Sequence, residues 1–245
     1  MIEKALKYIV GLSAPIVQTI NGEVYSDKPL GRVDFSPLAE PIQLSTLQSL
    51  VDYIKSHMDN IGPENEQNVF IHVVSPTKVR MYSELNRNRK REYIADVTAD
   101  VPEFSFNRWI DHETFCIALQ SKFLPSDGGE QDDRALLLKF AGTVESGTIA
   151  EYGDDGVSQK ATIKTGIAKK GDAVIPNPVC LKAYRTFIEV EQPETQYIFR
   201  MQDKGGIQCA LFEADGGAWG ILTMERIKRY LENALSGVAG YIVIS

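Results

Sequence analysis

Leu47, Leu50, Val51, Ile54 and Met58 recur at spacings of three and four and therefore line one side of a helix. Ser45 or Thr46 supplies an N-cap and Gly62-Pro63 forbids continuation, which places this helix at about residues 45–59. From Asn68 the period becomes that of strands. Val69-Phe70-Ile71-His72-Val73-Val74 is a near-continuous apolar run suited to a central strand, and Lys78-Val79-Arg80-Met81-Tyr82 alternates as a half-exposed strand does. Ser75-Pro76-Thr77 is the turn between them, and a third strand is expected at Glu92–Val97. Nearer the N-terminus, β-branched residues flank Asn21-Gly22, whose positive φ angles make a type I′ turn; residues 16–25 read as a hairpin.

Phe104–Ile110 adds aromatic core material, while Glu113–Phe123 fits strand or helix equally well. The polar, Gly- and Asp-rich residues 125–133 are either a long exposed loop or a boundary. Read as a boundary, they separate an α+β subdomain at 1–124 from a β-rich subdomain with a terminal helix at 135–245; read as a loop, they leave one continuous domain. Beyond them, Leu136–Phe140, Gly142–Ile149 and Ser158–Ile167 are strand candidates. Tyr184–Glu191, Gln196–Met201 and Ile207–Ala214 suggest an antiparallel meander with turns at Gln192-Pro193-Glu194 and Asp203-Lys204-Gly205-Gly206. A helix at about Ala218–Leu235 turns Trp219, Leu222, Ile227, Leu231 and Leu235 inward, and Ser236-Gly237 ends it. Tyr241–Ile244 adds a last strand at a sheet edge, an edge that a second copy of the chain can pair with. The expected fold is α+β: mainly antiparallel sheet, one helix in the N-terminal half and one long C-terminal helix.

Composition narrows the function classes. A chain of 245 residues buries a core without disulfides or metals. Its net charge of -7 weighs against non-specific coating of nucleic acid, which is driven by Lys and Arg, though a local basic patch can still meet phosphate. Cys116, Cys180 and Cys209 are odd in number and sit beside apolar residues, which points to buried free thiols in a reducing compartment. The apolar runs at residues 8–12 and 238–244 are too short to span a bilayer. The expectation is a cytoplasmic protein without a membrane partner.

Chemical motifs are few. His112-Glu113-Thr114-Phe115-Cys116 resembles a zinc-protease motif but has Cys116 in place of the second His; a loop or cap role for His112 is preferred. Gly166–Gly171 has P-loop glycine spacing, yet Asp172-Ala173 follows where Lys-Ser/Thr is needed, so a hairpin turn is expected. Asp132-Asp133 and Asp154-Asp155 read as turn residues rather than metal ligands. Arg87-Asn88-Arg89-Lys90-Arg91 is the most basic run; Arg87, Arg89, Lys90 and Arg91 are candidate nucleic-acid contacts, set against a solvated hairpin tip. Tyr82 and Tyr93 flank this run. No catalytic residue, resident metal or cofactor is assigned.

Ile175-Pro176-Asn177-Pro178-Val179, Tyr184–Pro193, Phe199-Arg200 and Leu211–Trp219, with Asp154–Gln159, resemble the YfdQ-like family of phage and prophage proteins, for which no activity is assigned. The resemblance implies a phage origin and brings no catalytic residues with it. Within it, Glu213-Ala214-Asp215-Gly216-Gly217-Ala218-Trp219 reads as a strand running into a helix through a glycine corner. Arg185, Arg200, Asp215, Gly216, Gly217 and Trp219 are the candidate ligand-binding residues if they converge on a pocket; internal ion pairs, a helix cap and a core tryptophan are the structural alternative.

These features lead to three expectations. The first is a phage-encoded, non-catalytic accessory protein of the host cytoplasm that binds a nucleotide-like molecule or a host protein, serving evasion of host defence. The second is an accessory factor in phage DNA replication or recombination that uses Arg87–Arg91. The third is a metal-dependent hydrolase drawing on Asp154, Asp155, Glu213 and Asp215.

Overall fold

In the computed structural model, residues 2–12, 14–28, 39–56, 68–86, 89–125, 132–143, 149–154, 159–164, 170–175, 177–203 and 205–245 are described. The chain divides into two compact units, Met1–Leu38 and Ala39–Ser245. The first holds helix α1 (Ile2–Leu12) and the expected hairpin, β1 (Val17–Ile20) paired with β2 (Glu23–Ser26). Asn21 and Gly22 take φ of 54° and 84°, as a type I′ turn requires. Helix α1 was not anticipated: only its apolar end was read, whereas a Glu3–Lys7 pair one turn apart supports it from the start.

Among its described residues the second unit holds three sheets. One has five strands in the order β14-β4-β5-β6-β3: β3 (Ile42–Leu44), β4 (Val69–Ser75), β5 (Lys78–Ser83), β6 (Tyr93–Thr98) and β14 (Tyr241–Ile244). The three central strands are antiparallel, and the edge strands β14 and β3 join in parallel. Helix α2 (Leu47–Lys55) starts at Thr46, whose hydroxyl accepts from Ser49 N at 3.1 Å. It packs Leu47, Leu50, Val51 and Ile54 onto Val69, Ile71, Val73, Val79, Met81, Ala95 and Val97. Removing one such leucine side chain costs about 2–5 kcal/mol. Helix α5 (Ala218–Ala234) covers the same face with Ile227 and Leu231, joined by Leu235 just beyond its end.

The second sheet has the order β11-β12-β13-β7, with β7 (Ile110–Asp111), β11 (Val179–Lys182), β12 (Glu194–Asp203) and β13 (Ile207–Glu213), all antiparallel. Phe115 and Leu119 of α3 (His112–Ser121) and Leu137, Phe140 and Ala141 of α4 (Asp133–Thr143) pack onto its Tyr197, Phe199, Cys209 and Leu211. The ambiguous Glu113–Phe123 stretch is thus helical up to Ser121, capped by Asp111, which accepts from Thr114 N at 2.9 Å. The strand expected at Leu136–Phe140 is instead part of α4. Leu137, Phe140 and Ala141 are its buried face at helical spacing, and Asp132 caps it by accepting from Ala135 N. A third sheet pairs β8 (Ile149–Asp154), β9 (Gln159–Lys164) and β10 (Lys170–Ile175) in the order β10-β9-β8. Of the P-loop-like Gly166–Gly171, residues 166–169 lie outside the described residues, and Lys170 and Gly171 open β10, which pairs with β9.

Two further expectations change. Tyr184–Glu191 is not a strand of the meander; it forms an irregular loop held by the buried Gln192, whose Oε1 accepts from Arg185 N and Thr186 N and whose Nε2 donates to Phe187 O. Phe187 and Val190 from this loop enter the core under the five-stranded sheet. In α5 the inward line is Thr223, Ile227 and Leu231, so Leu222, about 100° away around the helix, is exposed. Cys180 is exposed rather than buried, Cys116 is half-buried and Cys209 is buried. The fold is α+β with mostly antiparallel sheet and a long C-terminal helix. The break expected at 125–134 falls mainly on residues 126–131, outside the described residues. No described helix is long and apolar enough to cross a membrane.

Candidate functional site

The glycine corner is a filled joint. The N-cap position of α5 is Gly217, and Asp215 two residues earlier does the capping from outside: its carboxylate accepts from Gly217 N at 3.1 Å and from Trp219 N at 3.2 Å. Gly216 and Gly217 take φ of 65° and 82°, a region that β-carbons disfavour, and nothing lies within 4 Å of where a Cβ would stand. The glycines are therefore required by the turn, not by a close neighbour. Above the corner, Arg185 lies between two rings, 3.8 Å from the centroid of Trp219 and 4.3 Å from that of Phe106. Its Nη2 donates to Glu213 Oε1 at 2.5 Å and its Nη1 to Tyr197 OH at 3.2 Å. Phe106 in turn stacks on Tyr197, with an angle of 11° between planes. Burial pushes the Tyr197 phenol up to about 12, with the nearby Arg185 charge opposing the shift. Charge, stacking and hydrogen bonds of Arg185 are satisfied within the protein.

Arg200 does not join this group. It follows Tyr197 by three positions on β12, so strand alternation puts it on the opposite face, where its Nη1 donates to Phe199 O. Arg185, Asp215, Gly216, Gly217 and Trp219 are thus brought together, and Arg200 is not. His112 is the first residue of α3, and its Nε2 is hydrogen-bonded to Ala141 O while lying 3.7 Å from Cys116 Sγ. Donating to a carbonyl leaves that nitrogen no lone pair for the thiol proton. Among the described residues no group of three His, Cys, Asp or Glu side chains is placed to hold a metal ion. Asp154 ends β8, and Asp155 lies outside the described residues.

A different surface carries exposed and half-buried aromatic and basic side chains. The five-stranded sheet buries one face under α2 and α5; the alternate residues form the other face. Register aligns them in rows across the strands. Ile242, Phe70, Tyr82 and Tyr93 make one row, and Ile244, His72, Arg80, Asp96 and Gln43 the next. The Phe70 and Tyr82 ring centroids are 5.8 Å apart and those of Tyr82 and Tyr93 5.9 Å. Phe70 and Tyr82 are half-buried, Tyr93 is 46% exposed and Ile242 42% exposed. Arg91 lies over Tyr82 and Phe70 at 5.1 and 5.7 Å, and Arg80 over Tyr93 at 5.3 Å. Arg80 Nε donates to Asp96 Oδ1 at 2.7 Å, which raises the arginine's pKa, and Lys78 Nζ is 3.9 Å from the same carboxylate.

The basic run borders this row. Arg87 lies outside the described residues. Arg89 and Lys90 are exposed on a tight turn in which Arg89 N donates to Asn86 O and Asn86 N to Lys90 O; Arg91 returns over the rings and donates to Ser83 O. Sequence reading noted Tyr82 and Tyr93 beside the run and missed Phe70 and Arg80. Strand parity was the available signal, since Phe70 and His72 alternate with the buried Val69, Ile71 and Val73.

Compared with known proteins, the chain matches no family model, no curated protein and no solved structure.

Proposed function

We propose that this chain is a non-catalytic binding protein whose open sheet face takes a nucleotide-like ligand, a flat base joined to an anionic group. The observation that carries the reading is the row Phe70–Tyr82–Tyr93 with Arg80 and Arg91 laid over it. A base stacked on an aromatic ring contributes about 1–3 kcal/mol. Arg80 and Arg91 stand beside the rings where the anionic group of a stacked nucleotide would lie, with Arg80 shared with Asp96 and Arg91 also donating to Ser83 O. The resemblance in residues 175–219 supports a phage origin, and with it the host cytoplasm as the place of action. The Arg185 corner takes a supporting role in this reading: it fixes α5 against β13 and so holds the helix under the sheet.

Saturation-transfer NMR with AMP, TMP and cyclic AMP tests the reading. Contacts from the base protons to Tyr82 and Tyr93 are expected, with loss of signal in Tyr93→Ala and its retention in Tyr93→Phe and Arg200→Ala. Base contacts that persist in Tyr82→Ala and Tyr93→Ala proteins of unchanged far-UV dichroism would place the ligand elsewhere and overturn it.

A further inference from the structure

We infer that the ligand class of the open face is single-stranded nucleic acid, bound as a short tract that crosses β4, β5 and β6 with one base on each ring. The inference rests on the proposed function above and narrows it from a nucleotide to a polymer. Three features argue for it.

The first is shape. A site for a single small molecule is concave and encloses most of its ligand, whereas Phe70, Tyr82 and Tyr93 lie in one register row of a sheet face that ends in Ile242 on the edge strand. A row of this kind offers repeated contacts to a repeated ligand. The second is orientation. The Phe70 and Tyr82 planes are inclined by 33° and those of Tyr82 and Tyr93 by 62°, with centroids 5.8 and 5.9 Å apart. Bases laid on rings so inclined are splayed rather than stacked on one another, the form in which a single strand presents bases to an aromatic sheet face. A duplex keeps its base faces inside the stack, and reading it takes a helix or ribbon in a groove.

The third is charge. The guanidiniums are distributed along the row: Arg91 spans Phe70 and Tyr82, and Arg80 serves Tyr93. Arg89 and Lys90 continue the positive charge outward on the turn after β5. Asp96 is the carboxylate opposite Arg80 in the register row, and it is already engaged by Arg80 and approached by Lys78. With Glu84 and Glu92 on the same hairpin, Lys78, Arg80, Arg89, Lys90 and Arg91 still outnumber the carboxylates around the row, which agrees with selective binding rather than coating in an acidic chain.

Fluorescence anisotropy of the full chain with 5′-labelled oligothymidylates of increasing length, a matching labelled duplex and unlabelled TMP as competitor tests the inference. Affinity is expected to rise about tenfold or more from one nucleotide to three, and to fall about tenfold in Tyr93→Ala. The logarithm of affinity should decline with the logarithm of salt with a slope of about -0.7 per phosphate engaged, shallower in Arg91→Gln. Duplex should bind at least about tenfold more weakly than the strand. TMP binding with no gain on lengthening, or equal affinity for duplex, would overturn the polymer while leaving the nucleotide reading intact. No binding of any of these probes overturns both. Binding unchanged in both Tyr93→Ala and Arg91→Gln would put the nucleic acid on another surface and overturn the assignment.

Discussion

The guanidinium of Arg185 lies 3.8 Å from the centroid of the Trp219 ring, so an irregular loop is locked to the first turn of the long C-terminal helix. Its ion pair with Glu213 is mostly buried, the two side chains being 11% and 26% exposed. Breaking such a pair by removing one partner leaves the other charge uncompensated. Arg185→Ala should therefore destabilise the fold by about 3 kcal/mol, and Arg185→Lys by less, because a lysine keeps the charge without the flat stack. Urea melts followed by dichroism give the values, and the emission of Trp219 should shift in Arg185→Ala. A loss below about 0.5 kcal/mol would mean the cluster is not a structural joint.

The cap beneath it gives a smaller effect. Asp215→Ala leaves Gly217 N and Trp219 N without their side-chain acceptor and should cost about 1 kcal/mol, with Asp215→Asn retaining much of the stability. Gly217→Ala should cost a similar amount, on the order of 1 kcal/mol, through its φ of 82° rather than through a clash. Thermal melts of the three variants separate the two causes.

Alkali should unfold the protein through two buried groups. Burial pushes the Tyr197 phenol from 10.0 up to about 12 and the Cys209 thiol from 9.0 up to about 12. Both are neutral when protonated, and the unfolded chain gives up these protons first. Their contribution to stability is whole below pH 9.0 and is lost as pH rises toward about 12. Each group steepens the decline by up to about 1.4 kcal/mol per pH unit. Stability measured by urea melts across this range should fall less steeply in Cys209→Ala, whatever that variant's stability at neutral pH.

Asp96 should limit binding on the open face. It holds Arg80 at 2.7 Å and so competes with a phosphate for the same guanidinium. Asp96→Asn is expected to strengthen binding of a labelled oligothymidylate by about threefold to tenfold and to steepen its salt dependence. Weaker binding in a folded Asp96→Asn protein would show that the carboxylate positions Arg80 for the ligand instead.

The local elements were legible because their causes are local. The Asn21-Gly22 turn, the stripe of α2 with its Thr46 cap and the alternation of β4 and β5 each follow from steric preference or from burial of one face. Helix α4 was misread because Leu136-Leu137-Leu138 has no period of its own; the packing of Leu137, Phe140 and Ala141 onto the second sheet decided it. Tyr184–Glu191 was misread because its apolar residues serve a loop that the side chain of Gln192 holds closed.

The candidate site shows the same division. The sequence by itself determined that residues 69–74 and 78–82 form strands, that Arg89–Arg91 follow them and that Tyr82 and Tyr93 stand on either side. It also determined that Gly216 and Gly217 precede a helix. Only the tertiary structure decided that Phe70, Tyr82 and Tyr93 share one row, because register between strands depends on which face α2 and α5 bury. It likewise decided that Arg185 is spent inside the protein, since its partners Phe106, Tyr197 and the Glu213–Trp219 corner come from three separate stretches of chain that only the folded core brings within reach.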